Sequence, residues 1–96
     1  MKMLMTICPE HRLEEVRKLI TQYGIHSYSV IPNVLGEGKT GKHLGTHTWP
    51  GKSAIFFTVV PSEETETLIA ALKEYQQGLY GGEGLRVFSL PVETEI

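Results

Sequence analysis

The segment Gly36-Glu37-Gly38-Lys39-Thr40-Gly41-Lys42-His43 nearly spells a phosphate-cradling P-loop. It has the glycine spacing and the lysine, but His43 stands where a Ser or Thr would hold magnesium. A P-loop must also open a helix, because the phosphate rests on the helix N-terminus. Here Gly45, Pro50 and Gly51 follow with no helical period, which excludes a Walker-type NTPase. What survives is a glycine-rich loop whose amides, with Lys39 and Lys42, suit an anion. His43 and His47 are four residues apart and could clamp copper, nickel or zinc from a loop, with further ligands from another subunit. The segment between them offers no Asp, Glu or Cys, so two exposed histidines without a metal are the plainer reading. Cys8, His11 and His26 are scattered, and Cys8 reads as a small buried residue at a strand end. There is no carboxylate pair with recognisable spacing and no nucleophile beside a base, so the chain does not read as an enzyme.

The elements that must carry this loop follow from periodicity. Lys2–Cys8 reads as a strand stopped by Pro9. Leu13, Val16, Ile20 and Tyr23 recur at three- and four-residue steps and predict a helix that Gly24 ends with a left-handed cap. Residues 25–35 predict a second strand, placed at an edge or bulged because Pro32 cannot donate to a ladder. Residues 35–52 predict a long, flexible, exposed loop, a kind of segment that often carries function. Residues 53–60 predict the clearest strand. Ser62 is expected to cap a second helix with the stripe Leu68, Ile69, Leu72 and Tyr75, stopped by Gly78. The glycine-rich turn Gly81-Gly82-Glu83-Gly84 leads into a fourth strand over 85–90. The order β-α-β-β-α-β predicts an α+β, ferredoxin-like sandwich: one antiparallel sheet with both helices on one face.

That arrangement leaves the other sheet face bare. The third strand is apolar in both registers, with Phe56 and Val60 pointing one way and Ile55, Phe57 and Val59 the other. Strands buried on both faces read this way, and two helices cannot cover both, so a homo-oligomer is expected. Phe56, Phe57 and Phe88 read as core residues rather than as an RNA-stacking platform. The chain of 96 residues suits one domain. Nine basic against eleven acidic residues, a net charge of −2, give no overall pull toward nucleic acid or anionic membrane. A single cysteine excludes an internal disulfide and a cysteine-based zinc ribbon. No apolar run approaches a membrane span, and a cytoplasmic location is expected.

Taken together, the residues resemble the PII signalling family over nearly the whole chain. The resemblance rests on the opening strand, the helix beginning at Leu13 and the Gly24-Ile25 junction. Val34-Leu35-Gly36-Glu37-Gly38 looks like that family's V-x-G-x-G, and Gly82-Glu83-Gly84 looks like its G-[DE]-G-K. The resemblance implies a single PII-like domain over 1–96, a homotrimer with the bare faces turned inward, and ADP, ATP or AMP bound in clefts between subunits. The residues carried over are Gly36, Gly38 and Lys39 in the first part of the loop, Lys52 at its end, and Gly82, Glu83 and Gly84 in the second turn. Leu85 stands where the family has a lysine, and Arg86, one position late and on the other face, is the nearest substitute. The long loop, with Lys42 and Trp49, is implied to bind a target protein such as a transporter or an enzyme, under control of the ligand. It has no tyrosine, so the family's tyrosyl modification has no acceptor there, and the chain ends at Ile96, before the family's further phosphate-binding arginines. CutA-like proteins share this architecture, and His43 and His47 make a metal-responsive regulator the alternative reading.

Overall fold

In a computed structural model of the chain, residues 1–36, 52–80 and 83–96 are described. Among them, four strands and two helices follow in the predicted order: β1 (Lys2–Pro9), α1 (Leu13–Gln22), β2 (Ser29–Val34), β3 (Ser53–Val60), α2 (Ser62–Gln77) and β4 (Arg86–Pro91). A single 3-10 turn, Glu10–Arg12, joins β1 to α1. The sheet order is β2-β3-β1-β4, and every pairing is antiparallel. This is the ferredoxin-like arrangement that the element order predicts.

One sheet face and the helices form the core. Leu4, Thr6 and Cys8 of β1 and Ala54, Phe56, Thr58 and Val60 of β3 alternate into it, against Val16 and Ile20 of α1 and Leu68 and Leu72 of α2. Phe56 is at its centre, fully buried, with the Tyr28 ring 5.7 Å away. Burial pushes the Cys8 thiol up to about 11, so it stays protonated and behaves as a small apolar residue. Tyr23, placed by its spacing on the buried stripe of α1, instead caps the helix at 44% exposure. Gly24 follows with φ +84°, and the Ile25 N–H reaches back to the Ile20 carbonyl, the left-handed ending that its position predicts.

Three local expectations are corrected. The second strand starts at Ser29, not Ile25, because Ile25 turns into the core and the Ser27 carbonyl is taken by the Thr58 hydroxyl at 2.8 Å. The last strand starts at Arg86, not Leu85, since the buried Leu85 gives its carbonyl to the Gln76 side-chain amide. Ser62 does not cap α2: Pro61 holds the cap position, and the Ser62 hydroxyl oxygen accepts from the Met1 amino group at 3.0 Å. Pro32 does lie in an edge strand, and the β2–β3 register shifts between Ile31 and Val34, where Asn33 adopts φ +59°.

The second sheet face is open. Met3, Met5 and Ile7 of β1 sit opposite Val59, Phe57 and Ile55 of β3, and Phe88 and Leu90 of β4 flank Met5 and Met3. Ile31, Val59, Phe88 and Leu90 are exposed on this face, so Phe88, read from the sequence as core, is not buried within one chain. Continuous exposed apolar surface of this kind marks a place of contact with another surface. Among the described residues, no helix is long and apolar enough to cross a membrane.

Candidate functional site

The antiparallel register gathers the chemically interesting segments at one end of the sheet. Pro9 of β1 lies beside Ser53 of β3, Val34 of β2 beside the same Ser53, and Ile7 beside Arg86 of β4. The end of β1, Gly36 and Lys52, and the turn carrying Glu83 and Gly84 therefore converge; the long loop expected over 35–52 lies, apart from its ends, outside the described residues. Lys52 is exposed, and its carbonyl accepts from the Glu10 N–H at 2.8 Å. Gly36 is exposed, and a side chain there would meet nothing within 4 Å.

Glu83 is the centre of a polar cluster at this end. Arg12 grips it with two parallel bonds, Nε to Oε2 and Nη2 to Oε1, both 3.0 Å. The His11 ring nitrogen Nε2 lies 2.6 Å from Oε2, and with a carboxylate opposite it must carry the proton. The Tyr80 N–H also donates to Oε1 at 3.0 Å. Arg12 turns its remaining nitrogen, Nη1, to both oxygens of Glu15, and the Tyr75 hydroxyl donates to Glu15 Oε1 at 2.6 Å. The forked pairing of guanidinium with carboxylate is the strong, directional kind.

The electrostatics follow from these contacts. Arg12, with His11 and the Tyr80 N–H, holds the Glu83 carboxyl down to about 2 against the upward push of burial. The Tyr75 hydroxyl and Arg12 hold Glu15 below the usual range, while burial and Glu15 raise the Tyr75 phenol. Arg12 is raised further by Glu83 and Glu15 and stays charged at any working pH. Beside this cluster, Arg12, Glu15, Leu19, Tyr75 and Leu79 help line an open cleft of about 360 Å³ between the helices.

A family model described as nitrogen regulatory protein P-II matches residues 1–96. The chain belongs to the P-II family. Among curated protein sequences, none matches this P-II chain. Solved structures do. CPII, a nitrogen regulatory PII-like protein from Thiomonas intermedia K12, is bound in one structure to ADP, AMP and bicarbonate. It superposes with a TM-score of 0.67 at 19% identity, over 99% of this chain and 94% of that one. The apo form of CPII gives a TM-score of 0.67 at 16% identity, over 95% of this chain and 89% of that one. At such identities the likeness shows the shared fold. Family membership makes this chain one of a class of regulatory proteins.

The residues expected from the sequence to act in this P-II chain divide into three groups. Gly38, Lys39, Lys42, His43, His47, Trp49 and Gly82 lie outside the described residues, and with them the histidine metal pair. Gly36, Lys52, Glu83 and Gly84 are brought to the same end of the sheet. Arg86 sits on the open face, opposite Ile7 in register, with its guanidinium 5.7 Å from the Phe88 ring centre. Among the described residues, no group of three or more His, Cys, Asp or Glu is placed to hold a metal. Sequence reasoning missed Arg12, Glu15 and Tyr75 and set His11 aside as scattered. One signal was legible: Arg12 stands at the N-terminal cap of α1, where the positive end of the helix dipole disfavours a cation. A cation in that place calls for carboxylate partners.

Glu83 makes acid stability a test of the cluster. Its folded pKa of about 2 lies below the ordinary 4.5, so the unfolded chain binds the proton more readily. The pairing therefore stabilises the fold fully above pH 4.5, and that contribution is lost as pH falls from 4.5 toward 2. Glu83→Gln should lower the urea midpoint at pH 7, and the gap from wild type should narrow across that acid window. A gap independent of pH would mean that the carboxylate charge does not support the turn.

Proposed function

We propose that this chain is a regulatory protein that takes an adenine nucleotide or another small anion between the subunits of a trimer and controls a target protein through its long loop. The observation that carries this reading is the convergence of both glycine-containing segments at one end of the sheet, beside an open apolar face. Backbone amides near Gly36 and Gly84, with those of Gly38 and Gly82, would approach phosphate oxygens, and Lys39 and Lys52 would supply charge. Arg86 lies on the open face, so in an assembly it would meet a neighbouring subunit at the edge of the cleft. Glu83 would repel a phosphate if its charge were free. Its pairing with Arg12 and His11 offsets that charge and leaves the turn's backbone to face the ligand. The CPII structures with ADP, AMP and bicarbonate support this choice of ligand class.

Native mass spectrometry and calorimetry test the reading together. The expected results are an assembly of about three chain masses at micromolar concentration and heat on adding ADP, AMP or ATP. A stable monomer would remove the cleft between subunits. No heat with any adenine nucleotide at millimolar concentration would exclude the nucleotide.

A further inference from the structure

The 3-10 turn Glu10–Arg12 touches both glycine-containing segments at once. Its first residue holds the base of the long loop. The Glu10 N–H donates to the Lys52 carbonyl at 2.8 Å. The Asn33 amide faces the Glu10 carboxylate, an acceptor only, so it is assigned with its nitrogen toward it, which then donates to both carboxylate oxygens at 3.0 and 3.2 Å. Asn33 sits at φ +59° in the bulge of β2, a left-handed conformation that asparagine adopts more readily than most non-glycine residues. The turn's other two residues hold the second glycine segment, through the Arg12 fork and the His11 contact to Glu83. The turn is itself closed by the Leu13 N–H on the Glu10 carbonyl, which ties Glu10 to the start of α1.

We propose that Glu10 and Arg12 are positioning residues acting through this one turn: it fixes the base of the long loop against the segment Glu83-Gly84, so that a change at either is felt at the other. Neither residue needs to touch a ligand. The turn makes specific contacts to both segments, and its side-chain grip on each is charge-assisted. If a phosphate seats on the Glu83-Gly84 segment, as the proposed function has it, the same turn carries that occupancy to Asn33 and Lys52. That last step rests on the nucleotide reading; the mechanical link does not.

The test has two arms, both on the full chain. In the first, without nucleotide, amide exchange is followed by NMR at the Tyr80 N–H, which bonds Glu83, and at the side-chain amide of Asn33, the chain's only asparagine. Arg12→Gln should speed exchange at Tyr80 and also at Asn33, each by about tenfold, a local free-energy change of about 1.4 kcal/mol. Asn33→Gly keeps the backbone conformation but removes the amide, and should in turn speed exchange at Tyr80. Acceleration confined to Tyr80 in Arg12→Gln overturns the link. If Arg12→Gln does not fold, Arg12→Lys, which keeps the charge and loses the fork, should shift both amides in the same direction by less, and a shift at Tyr80 alone again overturns it. In the second arm ADP is titrated into wild type and Asn33→Gly, with a several-fold change in affinity expected. Equal affinity overturns the transmission of occupancy. If wild type binds no ADP, the nucleotide reading fails and the exchange arm still decides the link.

Discussion

Phe57→Glu should dissociate the proposed trimer into folded monomers, whereas Phe56→Glu should abolish folding. The two residues are adjacent in β3 and differ only in the face they present. Phe56 is fully buried against Tyr28 within one chain. Phe57 is half-buried on the open face, between Met5 of β1 and Ser29 of β2 in register. A carboxylate forced into either apolar setting without a partner costs several kcal/mol. At Phe56 that cost, with the loss of the aromatic contacts, comes close to the whole stability of about 5–15 kcal/mol that a small domain has. At Phe57 the monomer escapes the cost by exposing the charge to water, so the penalty falls on association alone. Sedimentation should report the drop in mass and far-ultraviolet circular dichroism the retained fold. A Phe57→Glu protein of unchanged mass would mean that the open face is not the interface.

Lys52→Ala should weaken ADP binding by roughly ten- to more than a hundred-fold, since one charged contact to phosphate is worth about 1.5–3 kcal/mol. The substitution is a clean one because the backbone at Lys52 is fixed independently of its side chain, by the Glu10 N–H on its carbonyl. The exposed side chain can be removed without loosening the start of β3. Wild-type affinity should fall as salt is raised, and the variant should show a shallower dependence, because one screened attraction has been deleted. Calorimetry at two ionic strengths measures both quantities. Unchanged affinity in Lys52→Ala would place the phosphate elsewhere.

Most of the architecture was legible in the sequence because it rests on local periodicity. The four-residue spacing of Val16 and Ile20, and of Leu68 and Leu72, depends only on helix geometry, and those residues are buried. Pro32 marked an edge strand because a missing N–H is a property of the residue itself. Phe56, Phe57 and Val60 showed a two-faced strand for the same reason. The candidate site was much less legible. Arg12 and Glu83 are 71 positions apart, and nothing in either neighbourhood names the other. The sequence marked Glu83 through its flanking glycines, but the partner that fixes its charge became visible only when the sheet brought β1 and β4 side by side. Ser62 fails in the same way: as a local signal it reads as a cap, and its actual partner is the amino terminus, 61 positions away.

The sheet's outer strands bear on a different hazard. Among the described residues β2 and β4 are the outer strands, and an open sheet edge is a template on which further strands can polymerise. In β2, Pro32 removes a donor from the middle of the strand and the bulge through Asn33 breaks the regular spacing of those that remain. In β4, Pro91 closes a strand of only six residues. Neither edge offers a long, even row of donors and acceptors. A chain with so apolar an open face is thereby steered away from endless edge-to-edge growth and toward face-to-face contact. Restoring a regular edge, by Pro32→Val for instance, would be expected to bring fibrillar aggregates at concentrations where the natural chain stays dispersed.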